Sequence, residues 1–449
     1  MFDQIRSDFK ALPLQAEPFS FKLSEMFERT ILDNGLKIIS KELKDTETVT
    51  VKISVSAGSK FVEPGKEGLS HLVEHMVMNG SKRYPDPLAV RRAIEELGGY
   101  INADTSKEEA NYRVKVVADD LEKAVDVLFS LIDEPLLDKR ELEDEKKVIY
   151  EEIARAEDKL ERRLLDKFFT LLFREHPLGK RVLGYQDKLK RISTDEVREF
   201  FKNFYVPENI VVCAAGRVSH TRLVNLVNNY LGSLKRGRLR SYDEFIPLVD
   251  GPKASVLDER AQQARLLLGF PTKPQNLEAH ILNMFIVQLL CSNDRLSARL
   301  RVREKLAYDV SAAYSEFSDA SLVLVYGGFS YNRVRKAIKS ITDELRSIKK
   351  NPIRSKEFNK VRKLFETNLI FKLETPEDWI EFALRWNLIL GNPIEPENYL
   401  KELEEIEPED IQRLAQKLFV PENSYLAVVH KDKRAGEFEE LLREGLGST

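Results

Sequence analysis

The sequence predicts an α+β protein of two similar halves, each a mostly antiparallel sheet packed with helices. Three observations lead there. Segment 204–216 (FYVPENIVVCAAG) is echoed 214 residues later by 418–430 (LFVPENSYLAVVH). Just upstream, Ile192, Val197, Phe200 and Phe204 fall on Ile406, Ile411, Leu414 and Leu418. Each copy therefore reads as an amphipathic helix, a Pro-Glu-Asn turn and a strand, in the same order. A weaker echo relates 139–153 to 355–369 at offset 216. Third, alternating strand patterns and long helical patterns are mixed throughout, which suits helices layered on a sheet.

In chain order, residues 1–25 read as an N-terminal extension. Its MFDQIRSDFK start carries charges where a signal peptide needs an apolar run. The first half spans 26–235. Within it, 49–57 and 111–117 alternate apolar and polar residues like half-buried strands, and 119–132 and 140–156 read as amphipathic helices. Residues 236–254, with Gly237, Pro247, Gly251 and Pro252, read as the linker. The second half spans 255–437, and 438–449 is a C-terminal tail. The longest apolar stretch, 281–291, is too short to cross a bilayer.

Composition excludes several classes. At 449 residues the chain is too long for one ordinary core, and at 42% hydrophobic residues it is globular. Charged residues make up 32% but nearly cancel, leaving a net charge of −3, so nothing points to nucleic acid as a partner. A soluble cytoplasmic protein with no membrane association is the expectation. Cys213, in a strand-like run, and Cys291, in an apolar helix-like run, read as core residues rather than a disulfide pair or a thiolate metal site.

The chemistry concentrates in 68–80, GLSHLVEHMVMNG. Ser70 is an N-cap candidate and Asn79-Gly80 a stop, with a helix between. His71 and His75, at i and i+4, stack on one face and can share a cation. Glu74 lies beside them, free to hold a water. The alternative is a helix end with solvated histidines, but two of only six histidines share this spacing. A catalytic zinc site needs a third protein ligand and an open position. On the later helix, Lys147, Glu151 and Arg155 alternate in sign at i, i+4 and read as a solvated face. Glu145, Val148, Ile149, Glu152 and Ala156 form the inward stripe. Glu152 then lacks a local partner, and a buried carboxylate needs a cation. Glu145, about 10 Å away along the axis, suits a supporting role behind a ligand. The alternative is a rotated helix with both carboxylates in solvent.

These residues resemble the pitrilysin/insulinase family of inverted zinc peptidases, whose signature is H-x-x-E-H. The short-chain type resembles bacterial and mitochondrial processing peptidases. Members place the third ligand as the last Glu of E-x(6)-E on a helix some 75 residues downstream. Glu145 and Glu152 fit, Glu152 lying 77 residues after His75. GGYINADTSKEEANY (98–112) resembles the family's substrate strand, which implies that Asn102 and Ala103 contact the peptide. By residue type alone, Asn102 and Thr105 are ordinary turn residues. LRVREKLAYDV (300–310) resembles the family's Arg/Tyr segment, which implies that Arg301 and Tyr308 polarise the scissile carbonyl. Otherwise they belong to a helix with surface arginines and a core tyrosine.

The resemblance covers about 28–430 and implies a zinc endopeptidase acting on unfolded peptides or small proteins, with one zinc per chain held by His71, His75 and Glu152. Glu74 is then the general base. A chain of this length supplies half of a clam-like chamber, so it implies a homodimer with Arg301 and Tyr308 acting in trans. The second half lacks the motif: at offset 216, Glu145 and Glu152 fall on Val361 and Asn368. A non-catalytic scaffold or partner subunit of the same fold, or a targeting-sequence processing peptidase, are the rival readings.

Overall fold

In a computed structural model of the chain, the described residues are 27–237, 244–258, 263–273, 276–292, 294–431 and 434–447. The expected extension over 1–25 and part of the expected linker lie outside them. Among the described residues, eleven strands form two sheets. The first contains β1 (Glu28–Ile31), β2 (Lys37–Glu42), β3 (Thr48–Val55), β4 (Tyr100–Thr105), β5 (Ala110–Val117) and β6 (Ile210–Gly216), in the order β1-β2-β6-β3-β5-β4. The second contains β7 (Lys253–Leu257), β8 (Ala264–Thr272), β9 (Ala307–Glu316), β10 (Ser321–Phe329) and β11 (Tyr425–Val429), in the order β7-β11-β8-β10-β9. Each sheet is antiparallel apart from one parallel pairing, β2 with β6 and β7 with β11. Two halves, each a mixed sheet packed with helices, are thus present.

The repeated sequence segments fold alike. Helix α7 (Thr194–Phe204) and helix α14 (Pro408–Leu418) each lead through a tight Pro-Glu-Asn turn into β6 and β11. Asn209 Nδ2 donates to Phe204 O (3.0 Å) and Asn423 Nδ2 to Leu418 O (3.1 Å), the same bond 214 residues apart. Each side-chain amide satisfies a carbonyl that the helix end leaves without an internal partner.

The helices between the strands complete the layers. In the first half these are α1 (Leu69–Met78), α2 (Pro87–Glu95), α3 (Leu121–Asp133), α4 (Leu142–Glu157), α5 (Leu160–Phe173), the short α6 (Gln186–Leu189) and α8 (His220–Leu231). In the second they are α9 (Leu277–Cys291), α10 (Val334–Lys350), α11 (Ser355–Phe371), α12 (Pro376–Leu390), α13 (Pro396–Glu405) and α15 (Ala435–Gly447). The expected C-terminal tail is helical over its described residues, 438–447. Most of it is α15, whose Phe438, Leu442 and Leu446 recur at i, i+4, i+8 and are buried in the core of the second half.

The halves exchange helices. Helix α5 puts Phe168, Leu172 and Phe173 against Leu267, Leu322 and Tyr425 of the second sheet. Gly269 makes this possible, since a Cβ there would stand 2.2 Å from Phe168 Cζ. Reciprocally, α12 covers the first sheet, where Lys52 Nζ meets Glu381 Oε1 at 2.7 Å and the Lys41 ammonium lies 4.7 Å from the Trp379 ring. The expectation of a half-buried strand over 49–57 is therefore corrected. Val49, Val51 and Ile53 face their own core, but Thr50, Lys52 and Ser54 on the opposite side are buried too, because α12 roofs them. Cys213 is buried in β6 and Cys291 ends α9, both as free thiols.

The hairpin tips of the two sheets are joined by a buried charge cluster. Lys60 Nζ lies 2.9 Å from Glu108 Oε1, at the β4–β5 tip, and 2.8 Å from Asp319 Oδ1, at the β9–β10 tip. The Lys60 side chain is fully buried. Glu108 also accepts from Ser318 N at 2.9 Å. Burial alone would lower the Lys60 pKa, but the two carboxylates outweigh it and raise the value.

Candidate metal centre

Helix α1 starts two residues earlier than Ser70 as N-cap suggested. Its N-cap is Gly68 at φ 101°, and Ser70 is buried inside the first turn with no capping bond. The left-handed backbone at Gly68 is the reason, and a Cβ there would meet Leu183 O at 2.8 Å. At the other end Asn79 is the C-cap, and Gly80 follows at φ 133°. Leu72, Val73, Met76 and Val77 bury the helix in the core of the first half. His71, Glu74 and His75 come out towards α4 and the end of β4.

On α4 the buried face is Leu142, Lys146, Ile149 and Ile153. Glu145 and Glu152 flank it on the α1 side. Val148, expected inward, is instead 47% exposed, because one residue before Ile149 is a turn of about 100° away from the core. Lys147, Glu151 and Arg155 are exposed as expected, although Lys147 pairs with Asp144 at 2.7 Å rather than with Glu151.

These side chains converge. Glu152 Oε2 lies 3.6 Å from His71 Nε2 and 3.9 Å from His75 Nε2. The two rings stand edge to face, 4.6 Å between centroids. Glu74 Oε2 lies 3.7 Å from His71 Nε2, and the candidate ligand atoms of His71, Glu74 and His75 lie within 4.8 Å of one another. Behind His75, Nδ1 bonds Glu145 Oε2 at 2.8 Å, and Glu145 Oε1 accepts from Asn79 Nδ2 at 3.0 Å. That bond fixes the His75 tautomer and turns Nε2 towards the shared point, as carboxylates behind metal-binding imidazoles do. His71 has no such support, its buried Nδ1 being without a partner. Thr105 Oγ1 donates to Glu74 Oε2 at 3.1 Å.

The electrostatics suit a cation. Burial, then the charge of His75, pushes His71 down to about 3, which leaves a neutral imidazole lone pair at neutral pH. Burial raises Glu74 to about 7, against the pull of His75 and the Thr105 hydrogen bond. For His75 burial acts downward, but Glu145 and the neighbouring carboxylates win and raise it. For Glu145 burial acts upward, and the bonds from His75 and Asn79 overcome it. Two imidazoles and a carboxylate fit zinc. Ligands at about 2.0–2.2 Å in a tetrahedron stand about 3.3 Å apart, only a few tenths closer than the separations present. Glu74 is placed to act as a base, since Glu152 offers a third candidate ligand atom and Thr105 already bonds the Glu74 carboxylate.

The remaining expected residues lie elsewhere. Asn102 and Ala103 are in β4, the edge strand next to the site, with Asn102 exposed and Ala103 on the same side as Thr105. Arg301 lies in a π-helical turn, Ser297–Arg303, and Tyr308 near the start of β9 is 79% exposed. Tyr308 is thus not a core residue of a helix. Among the described residues neither side chain makes a hydrogen bond or ion pair, so neither is bonded to His71, Glu74, His75 or Glu152. Sequence reasoning missed the support given by Thr105 and Asn79. The only signal available was the sequence position of each, one ending a strand and one ending a helix.

Fold and site together define a two-half α+β protein with an inverted His-x-x-Glu-His centre. The Insulinase (Peptidase family M16) model matches residues 37–186, and the Peptidase M16 inactive domain model matches 191–365. The chain belongs to this insulinase, or M16, peptidase family. It is 27% identical over 408 residues to the uncharacterized zinc protease YmxG of Bacillus subtilis, covering 90% of this chain and 98% of that one. An uncharacterized zinc protease of Mycobacterium leprae is 28% identical over 396 residues, covering 87% and 88%. A protease structure from Helicobacter pylori superposes with a TM-score of 0.82 at 20% identity, covering 90% and 99%, which supports the fold.

Proposed function

We propose that this chain is a zinc-dependent endopeptidase acting on extended peptides. The observation that carries the reading is the placing of Glu152 Oε2 within 3.6 and 3.9 Å of the two Nε2 atoms, with Glu145 holding one ring from behind. His71, His75 and Glu152 would hold one zinc ion per chain. Bound there, the metal would supply Lewis acidity, lowering the pKa of a water and polarising a carbonyl.

The chain's own groups do the rest. The free edge of β4 offers main-chain donors and acceptors to an extended segment, with Asn102 and Ala103 beside the scissile bond. Glu74, raised to about 7, takes a proton at its carboxylate and returns it to the departing amine. Thr105 orients that carboxylate through its 3.1 Å bond. Arg301 and Tyr308, exposed and without a side-chain bond among the described residues, would come from a second copy of the chain and stabilise negative charge on the carbonyl oxygen. Two copies would thereby close a chamber.

The test is metal analysis together with hydrolysis of a quenched peptide by the wild type and Glu74→Gln. The variant should keep its metal and lose turnover; turnover that survives would remove Glu74 as base. Mixing Glu74→Gln chains with Tyr308→Phe chains tests the second copy. Action in trans predicts recovered activity in the mixed dimer, and none would place Tyr308 with its own metal.

A further inference from the structure

The second half has a cavity at the place where the first half has its metal centre. Helices α9 and α11 pack together as α1 and α4 do, and at offset 216 Asn368 of α11 stands where Glu152 stands on α4. A cavity of about 340 Å³ opens there between α9, α11, α12 and α13, with Asn368 in its wall. That volume lies at the small end of the range for small-molecule sites.

The walls do not suit a metal. His280 is the one imidazole, and its Nδ1 is bonded to Glu316 Oε2 at 2.9 Å. Glu316 is in turn held by Tyr314 Oη at 2.9 Å and by Arg385 at 3.3 Å. A single histidine, with the rim carboxylates Asp378 and Glu381 already engaged by Thr375 and Lys52, is not a zinc ligand set.

They do suit an organic ligand of one kind. Met284, Phe365, Leu369, Phe382, Trp386 and Tyr399 give an apolar, largely aromatic body. The carboxylates at the rim are already engaged. Asp378 caps α12 by accepting from Thr375 N at 2.9 Å, and Glu381 is paired with Lys52. Lys372, the residue that caps α11, has no hydrogen bond or ion pair from its side chain among the described residues. Trp386 is 1% exposed, and its indole N–H has no partner. Gln288 and Asn368 add amide donors. The uncommitted charge is therefore positive, and the amides of Gln288 and Asn368 stand among apolar side chains.

We infer that this cavity binds a small apolar carboxylate, an aromatic or branched body with one anionic end. A free acid and the C-terminal residue of an apolar peptide share that chemistry. The inference does not rest on metal binding or on peptidase activity, so a failed peptide assay leaves it standing.

The experiment is calorimetric titration of the zinc-loaded full chain with N-acetyl-L-phenylalanine and with its amide. 3-Phenylpropionate and acetyl-Ala-Ala-Phe serve as the free-acid and peptide arms. The acid should bind about tenfold more tightly than the amide, the size of one charge-assisted hydrogen bond. Lys372→Gln should bring the acid to the level of the amide. Asn368→Phe, which fills the cavity, should abolish binding of both. A carboxylate can also sit on a bound metal, so binding that survives Asn368→Phe places the ligand at the metal and overturns the inference. Equal affinity for acid and amide, or no binding of either at millimolar concentration, overturns it as well. If Asn368→Phe does not fold, the acid-to-amide ratio in Lys372→Gln decides alone, because Lys372 is exposed. Tighter binding of acetyl-Ala-Ala-Phe than of 3-phenylpropionate assigns the site to peptide ends, and the reverse assigns it to free acids.

Discussion

The two halves share a frame and differ at the spot where one carries the candidate ligand residues. Their helix–turn–strand segments make the same asparagine-to-helix bond, Asn209 to Phe204 and Asn423 to Leu418. Helices α4 and α11 correspond, yet Glu145 and Glu152 on the first are Val361 and Asn368 on the second. Val361 is fully buried among apolar side chains, whereas Glu145 is tied to His75 and Asn79. The frame therefore stands without the site. Turns, caps and alternating strands specify it, while the metal group depends on a few polar side chains that the frame tolerates at one place.

Exchanging residues between the halves breaks the comparison most severely. Glu152→Asn gives the first half the residue type of the second, and should reduce zinc far below one per chain and remove turnover, as metal analysis and peptide hydrolysis would read. Next comes Lys60→Met, which cuts the charged tie between the two hairpin tips. Removing one partner of a buried ion cluster costs about 3–5 kcal/mol, so urea unfolding should show a loss of that size. A loss below about 1 kcal/mol, typical of exposed pairs, would mean the tips do not depend on one another. Glu145→Val, copying Val361, should weaken zinc about 10–100-fold in a chelator competition. The smallest effect sharpens the likeness: Asn209→Ala should cost about 1 kcal/mol and Asn423→Ala somewhat more, because Asn423 Nδ2 also donates to Pro271 O at 3.0 Å; equal losses in urea unfolding would show that this extra bond adds nothing to the second turn.

Local features of the site were legible in the sequence. His71, Glu74 and His75 sit within five residues, where helical spacing alone brings them to neighbouring positions. Glu152 was separable from Glu151 because the alternating charges of Lys147, Glu151 and Arg155 mark a solvated face. Helical spacing predicts Val148 inward, but it is exposed, because the buried face of α4 runs through Leu142, Lys146, Ile149 and Ile153. Gly68 displaced Ser70 as the cap through a contact with Leu183, over a hundred residues away. Lys60 and Thr105 left no local trace, since their partners lie in distant segments. Nothing in the composition of α5 or α12 says which sheet each one covers. Strand alternation in β3 was legible, but burial of its polar side depends on a helix more than three hundred residues later.

The crossing of α5 and α12 has a consequence for synthesis. β6 ends at Gly216 and α12 begins at Pro376, so some 160 residues separate the first sheet from the helix that roofs it. At about 5–20 residues per second the ribosome leaves that face uncovered for about 8–30 s. Over the same interval α5 presents Phe168, Leu172 and Phe173 before the strands that receive them exist. The aromatic face of α5 therefore waits uncovered through that window, and neither crossed contact can form until the second half has been made.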